Sequence, residues 1–265
     1  MIERDVKQSA TEIPKQQEGA KSIRRTITIL RSVSRHNEAG IRLSLIAKDV
    51  NLPPPTVHRI LSVLLEEGFL SFDDGGKIYH LGPELYSLGA ATLQFSIRDR
   101  YQTTIKRISK QTGTAVNLVI RSGYDGVCID RTVSKSRVQV LGFDIGERRP
   151  LGIGAAGQAL LSFLPEKERE DILAANGSRY LKYYGVGVDV VREWIRNTRK
   201  LKYSNSTHIV TPESIGVGVP VFDRTNHVVA AISMASITER MTPEKCQEIA
   251  VLMQSEIAAV EPPAG

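Results

Sequence analysis

The stretch from Ile41 to Gly82, IRLSLIAKDVNLPPPTVHRILSVLLEEGFLSFDDGGKIYHLG, constrains the fold more than any other part of the chain. LSLIAKDV reads as a short helix that runs into Asn51-Leu52, and PPPTVHRILSVLLEEG reads as a second one. Two helices joined by so tight a turn make a helix-turn-helix. Asn51 stands where the first helix must stop, and asparagine tolerates the left-handed backbone such a stop requires. Val57, Ile60, Leu61 and Leu64 form one apolar stripe on the second helix, which is its core face.

At about 100° per residue, Arg59 points away from that stripe, with Thr56 and Val63 on one side of it and Pro55 and Ser62 on the other. Thr56, His58, Arg59 and Ser62 therefore make up the outward face and its flank. In a recognition helix this face enters the major groove, where arginine bonds two acceptors of one guanine. Arg42, just before the first helix, is a further DNA-binding candidate. Past Gly68, FLSF and KIYHL are strand-like runs separated by Asp73-Asp74-Gly75-Gly76, a strong turn signal. The hairpin is the wing of a winged helix-turn-helix, and Lys77 beside its tip is placed to touch phosphate. The alternative for Arg59 is a solvated charge on a small helical subdomain.

LSLIA, LPPPTVHRIL, EEGFL and KIYHLGPELYSLG, followed much later by RRPLGIGAAGQALLSFLP and VGVPVFDRTNHVVAAISMA, resemble the IclR-type transcriptional regulators over nearly everything after about Lys21. The resemblance implies a DNA-binding regulator that forms a homodimer or homotetramer, and a C-terminal domain similar to GAF-type ligand-binding domains. It also implies that the segment after RRPL lines a pocket for small organic acids and related metabolites. The chain departs from the family pattern at Leu45, where an acidic residue is common, and at Pro54-Pro55, where a polar pair is usual. It departs again at Gly152 and Gln158, where a histidine and a lysine are common.

The fold expected is α+β: a winged helix-turn-helix joined by a linker helix to an antiparallel-sheet domain. Residues 1–20 read as a polar, disordered tail, 21–82 as the DNA-binding domain, 83–95 as the linker helix and 96–265 as the effector-binding domain. Ser22 is expected to cap a first helix, SIRRTITILRSVSRH, whose Ile23, Ile27 and Leu30 pack on the reading module. Its arginines read as a solvated face, with Arg24 and Arg25 open to DNA backbone. Gly82-Pro83 opens the linker, PELYSLGAATLQF, which the resemblance implies also pairs subunits. Beyond it lie a helix, IRDRYQTTIKRISKQTG, and strands at TAVNLVI, VCIDRTV, RVQVLGF, VGVPVF and VVAAISMA. A helix at VVREWIRNTRKL and a terminal helix opened by Thr242-Pro243 complete a domain of sheet and covering helices.

Net charge is +6, and the N-terminal 82 residues hold 12 basic against 10 acidic side chains, so bulk charge fits nucleic-acid binding without locating the surface. No run is long enough to cross a membrane and the N-terminus lacks a signal-peptide core, so a cytoplasmic protein is expected. Cys128 and Cys246 are far apart and read as packing residues, with no disulfide or metal site implied. The five histidines have no ligand spacing, and neither catalytic residues nor a cofactor are expected.

Gly152-Ile153-Gly154-Ala155-Ala156-Gly157 matches G-x-G-x-x-G, with Asp171 about twenty residues on, as a dinucleotide site requires. The charged GERRPL before it and the helical EKEREDILAAN around Asp171 give no βαβ unit. The same glycines at a helix start suit a small carboxylate or phosphate, which makes Gly154, Ala155 and Ala156 candidate effector contacts. Ser214, Gly216 and Ser233 are placed across the pocket. Glycines needed only for close helix-to-sheet packing are the alternative. A metabolic enzyme with a catalytic C-terminal domain and an accessory winged helix is the second functional reading.

Overall fold

The computed structural model describes residues 18–91, 93–134, 140 and 143–262. The expected N-terminal tail lies outside these residues up to position 17, and of the expected strand RVQVLGF only Val140 and Phe143 are described. The chain divides into two compact units between Thr92 and Leu93.

The first unit holds α1 (Glu18–Arg35), α2 (Leu43–Asp49), α3 (Pro54–Glu66), β1 (Leu70–Asp73), β2 (Ile78–Leu81) and α4 (Pro83–Ala90). Its core joins Val57, Ile60, Leu61 and Leu64 of α3 to Ile29 and Val33 of α1, Ile46 of α2 and Tyr79 of β2. Each such side chain contributes about 1.5 to 3 kcal/mol by leaving water. Asn51 has φ 50°, so the left-handed stop after α2 is present. Gly82 closes the wing against the end of α3. Its N–H bonds Phe69 O at 2.8 Å, and a Cβ there would stand 2.1 Å from Gly68 O, which only glycine avoids.

Two expectations for α1 fail. The helix starts before Ser22, whose carbonyl accepts the Thr26 hydroxyl inside it. Of the expected stripe only Leu30 packs on the core; Ile23 and Ile27 are 64% and 42% exposed, while Ile29, Ser32 and Val33 are buried. Ser32 donates to Asp49 Oδ2 at 2.9 Å, and Arg35 pairs with the same oxygen, so the end of α2 fixes which face of α1 turns inward. The linker is also shorter than expected: α4 ends at Ala90, and Leu93–Ser96 belong to the next helix.

The second unit holds α5 (Leu93–Thr112), β3 (Val116–Ser122), β4 (Asp125–Thr132), β5 (Arg148–Pro150), α6 (Gly154–Ser162), α7 (Glu166–Tyr184), α8 (Val188–Leu201), β6 (Ser204–Thr207), β7 (Ser214–Phe222), β8 (Val228–Ile237) and α9 (Pro243–Ala258). The strands form one antiparallel sheet in the order β5-β4-β3-β8-β7-β6. β5 and β6 are edge strands that the sequence reading did not contain. One sheet face meets α5 and α9 through Ile105, Ile108, Leu118, Val219, Ile232 and Met253. The other meets α6 and, outside it, α7 and α8 through Val119, Leu160, Leu161, Tyr180 and Val191. Every residue from Ala155 to Ser162 is buried, as expected of a helix enclosed on all sides. Thr242 caps α9 by accepting Lys245 N–H at 3.2 Å.

Candidate DNA-reading surface and effector cavity

Arg59 and His58 are exposed on α3, Thr56 is half-buried beside them, and Arg42 is exposed at the N-cap of α2. The Ser62 hydroxyl turns back to His58 O at 3.0 Å, which leaves it less free to reach outward than the periodicity implies. Lys77, with φ 52°, lies in the wing turn rather than in β2, and its ammonium pairs with Asp74 at 3.3 Å. Such an exposed pair holds the side chain weakly. The turn is shaped by Asp73, whose carboxylate accepts the N–H groups of Gly75 and Gly76.

The prolines at the start of α3 have a chemical consequence. Pro53, Pro54 and Pro55 carry no N–H, and the next two donors, Thr56 N and Val57 N, both go to Pro53 O at 3.0 and 3.1 Å. The N-terminal turn of α3 therefore offers no free backbone donor to a phosphate, and contacts there fall to side chains.

In the second unit the start of α6 lies over the sheet and encloses a cavity of about 60 Å³. Gly154, Ala155, Ala156, Ser214, Gly216 and Ser233, named from sequence, all line it. Strand register explains the convergence: Ser233 stands opposite Asn117 and Gly218, and Gly216 stands opposite Ser206 and Ala235. Small residues on this sheet face leave the space open, since a Cβ on Gly216 would come 3.2 Å from Ala155 Cβ. Asn117, Ser206, Thr211, Phe143 and Arg149 also line the cavity and were missed. β6 carries no apolar pattern to announce it, and Asn117 is one polar residue in an apolar strand.

Ser206 and Ser233 are 7% and 6% exposed, and neither hydroxyl finds a hydrogen-bond partner among the described residues. Ser214 is satisfied, donating to Thr211 O at 2.7 Å. Arg149 is the one cation lining the cavity among the described residues, and it is engaged: Nε and Nη2 reach Glu147 Oε1 at 3.1 and 2.8 Å, and its guanidinium covers the Phe143 ring. Positive potential at the cavity therefore comes mainly from the start of α6, which has no capping side chain and no acidic residue in its first turn.

The glycines of the G-x-G-x-x-G divide their work. Gly152, at φ 97°, packs so closely that a Cβ would lie 2.8 Å from Val191, and its N–H bonds Gly157 O at 3.0 Å. Gly154, at φ 68°, opens α6 at the cavity. Neither Gly152 nor Gln158 lines the cavity. Gln158 is 1% exposed and neither amide atom has a partner among the described residues. The segment before the motif is β5, a short antiparallel edge strand, which is not the parallel strand a dinucleotide site needs. Tyr180 donates to Leu151 O and holds the approach to the motif, and burial pushes its phenol up to about 12. Burial likewise pushes the Cys128 thiol up to about 12, which keeps it protonated and unreactive.

The model of the bacterial transcriptional regulator IclR C-terminal region matches residues 89–260, and that of the IclR helix-turn-helix domain matches residues 22–74. The HTH-type transcriptional repressor AllR of Klebsiella pneumoniae is 29% identical over 239 residues, which is 88% of this chain and 85% of that protein. Among solved structures, the IclR of Thermotoga maritima is similar with a TM-score of 0.65 and 25% identity, covering 90% of this chain and 96% of that one. An IclR homologue from Microbacterium hydrocarbonoxydans, solved in complex with 4-hydroxybenzoate, shares the fold with a TM-score of 0.72 at 19% identity, covering 90% and 99%. With a winged helix in the first unit, a sheet domain enclosing a small cavity in the second, and family models matching both, the chain belongs to the IclR family of bacterial transcriptional regulators.

Proposed function

We propose that the protein reads operator DNA with Arg59, Thr56 and His58 of α3, supported by Arg42 and Lys77, and that the cavity at the start of α6 binds its effector. The observation that carries this is the meeting of two serine hydroxyls without protein partners, Ser206 and Ser233, with an uncapped helix start in one buried space. Hydroxyls that face the cavity without a protein partner are open to a hydrogen bond from a polar ligand. A compact organic acid suits the site: its carboxylate would accept from the first turn of α6 and its other oxygens would meet the serines. About 60 Å³ holds on the order of four water-sized groups, which favours acids of a few heavy atoms.

The recognition helix needs a partner half-site, and α4 supports pairing of two copies. It buries none of its residues, and Tyr86 and Leu88 are largely exposed on it. A dimer or a tetramer built of dimers then reads an operator of two related half-sites. The test is selection of bound DNA from a random pool, with and without a panel of small acids, using the full chain. Enriched paired half-sites whose retention changes with one acid support the reading. A single unrepeated site, or no response to any acid together with stabilisation by a nicotinamide dinucleotide, refutes it.

A further inference from the structure

A second cavity, of about 750 Å³, opens elsewhere in the same unit, and no residue lining it lines the first. It forms where three helix ends meet beside β7. Phe163 follows the last residue of α6, Lys202 caps α8, and Ile257 and Ala258 end α9. Val219, Pro220 and Phe222 give it an apolar wall, with Phe163 edge-on to Phe222 at 5.4 Å. The chain after α9 forms another wall and is pinned from two sides. Arg100 donates to the carbonyls of Glu261 and Pro262 at 2.9 and 2.8 Å, and Arg224 pairs with the Glu261 carboxylate.

The polar groups of this cavity are unbalanced. Lys202 sits 5.9 Å from the centre of the Phe163 ring and has no carboxylate partner among the described residues. Arg199 spends one nitrogen on Ser162 O at 3.0 Å and leaves its other N–H groups without a partner among the described residues. Tyr101 is 1% exposed, yet its phenol makes no hydrogen bond among the described residues. Among the described residues no aspartate or glutamate lines the space. Two exposed cations and an unpartnered phenol that faces the space call for a ligand that is anionic at one end and an acceptor at the other.

We propose that this cavity binds an amphipathic carboxylic acid bearing a second oxygen. Its carboxylate is held by Lys202 and Arg199, its apolar body lies on Phe222, Val219 and Ile257, and its far oxygen accepts from Tyr101. The site is separate from the one at α6, and a ligand here reaches the protein without competing for the first cavity.

The test is calorimetric titration of the full chain with para-hydroxyphenylpropionate, with phenylpropionate and with the uncharged para-hydroxyphenylpropanol. The hydroxylated acid should bind, and losing the carboxylate should weaken binding about tenfold. Lys202→Asn keeps a residue that tolerates the left-handed backbone and should cost a similar factor. Tyr101→Phe should erase the preference for the hydroxylated acid while leaving phenylpropionate binding as it was. The double variant Ser206→Ala/Ser233→Ala should bind the hydroxylated acid like the unaltered protein. No heat at about 1 mM acid overturns the proposal, as does equal binding by Lys202→Asn. Loss of binding in the double serine variant also overturns it, because the acid then occupies the first cavity, and the effector reading stands. If the acids do not bind and Lys202→Asn dissociates an oligomer, the surface is an interface between copies and the proposal fails.

Discussion

The hydroxyl of Ser204 lies 2.6 Å from the carbonyl oxygen of Ala155 and 3.2 Å from that of Gly218, so one buried side chain ties edge strand β6 and strand β7 to the first turn of α6. The approach is close enough that a Cβ on Gly218 would stand 2.5 Å from Ala155 O. The helix start that borders the cavity is thus held by backbone contact with the sheet.

Two substitutions separate the bond from the approach. Ser204→Ala should cost about 1 to 3 kcal/mol, because it leaves the pair unmade without moving the backbone. Gly218→Ala should cost more and should weaken effector binding, since α6 must shift away from β7. Urea unfolding of the full chain followed by circular dichroism measures both, and a neutral Gly218→Ala would show that the helix does not sit this close.

Ser206 and Ser233 give a prediction of opposite signs. Replacing either with alanine removes a buried hydroxyl that has no partner, so the ligand-free protein should keep its stability or gain a few tenths of a kcal/mol. Affinity for the effector should fall by about threefold to tenfold for each. Thermal melts with and without acid resolve the two effects. A loss of ligand-free stability would mean that the hydroxyls serve the fold.

On α3, Arg59→Ala should lose about 1 to 3 kcal/mol of discrimination at one base of each half-site. Arg42→Ala should weaken all sequences alike and lower the salt slope by about one. Lys77→Ala should act in the same sense but less, because Asp74 already holds part of its charge. Binding to a selected operator and to its single-base variants, each across a salt series, distinguishes these. Unchanged specificity in Arg59→Ala removes α3 from the groove.

Asp49 makes stability depend on pH. The hydrogen bond from Ser32, aided by Arg35, holds its carboxyl below the ordinary value of 3.8. A folded value that is depressed contributes stability above the unfolded value, and that stability is lost as pH falls from about 3.8 through the folded value. The stability gap between the natural protein and Asp49→Asn should therefore be full at neutral pH and shrink below that point. Denaturation midpoints across an acid series measure the gap, and a constant gap would mean the carboxylate charge plays no part.

Much of the reading unit was determined by the sequence alone, because its signals are local. The spacing of Val57, Ile60, Leu61 and Leu64 fixes a buried stripe wherever the helix packs, and Asn51 can take the left-handed turn without a partner's help. The small residues around the G-x-G-x-x-G marked the first cavity because they are what a close helix start requires. Contacts between distant segments decided the rest. The periodicity of α1 permits more than one buried face, and the bond from Ser32 to Asp49 selects the one with Ile29 and Val33, leaving Ile23 and Ile27 outside. β6, SNST, has no apolar alternation, and its serines are buried only because the edge of β7 offers backbone partners. The second cavity depends on α6, α8 and α9 ending at one place, and no sequence window contains all three, so only packing of the whole unit could bring Tyr101, Arg199 and Lys202 together.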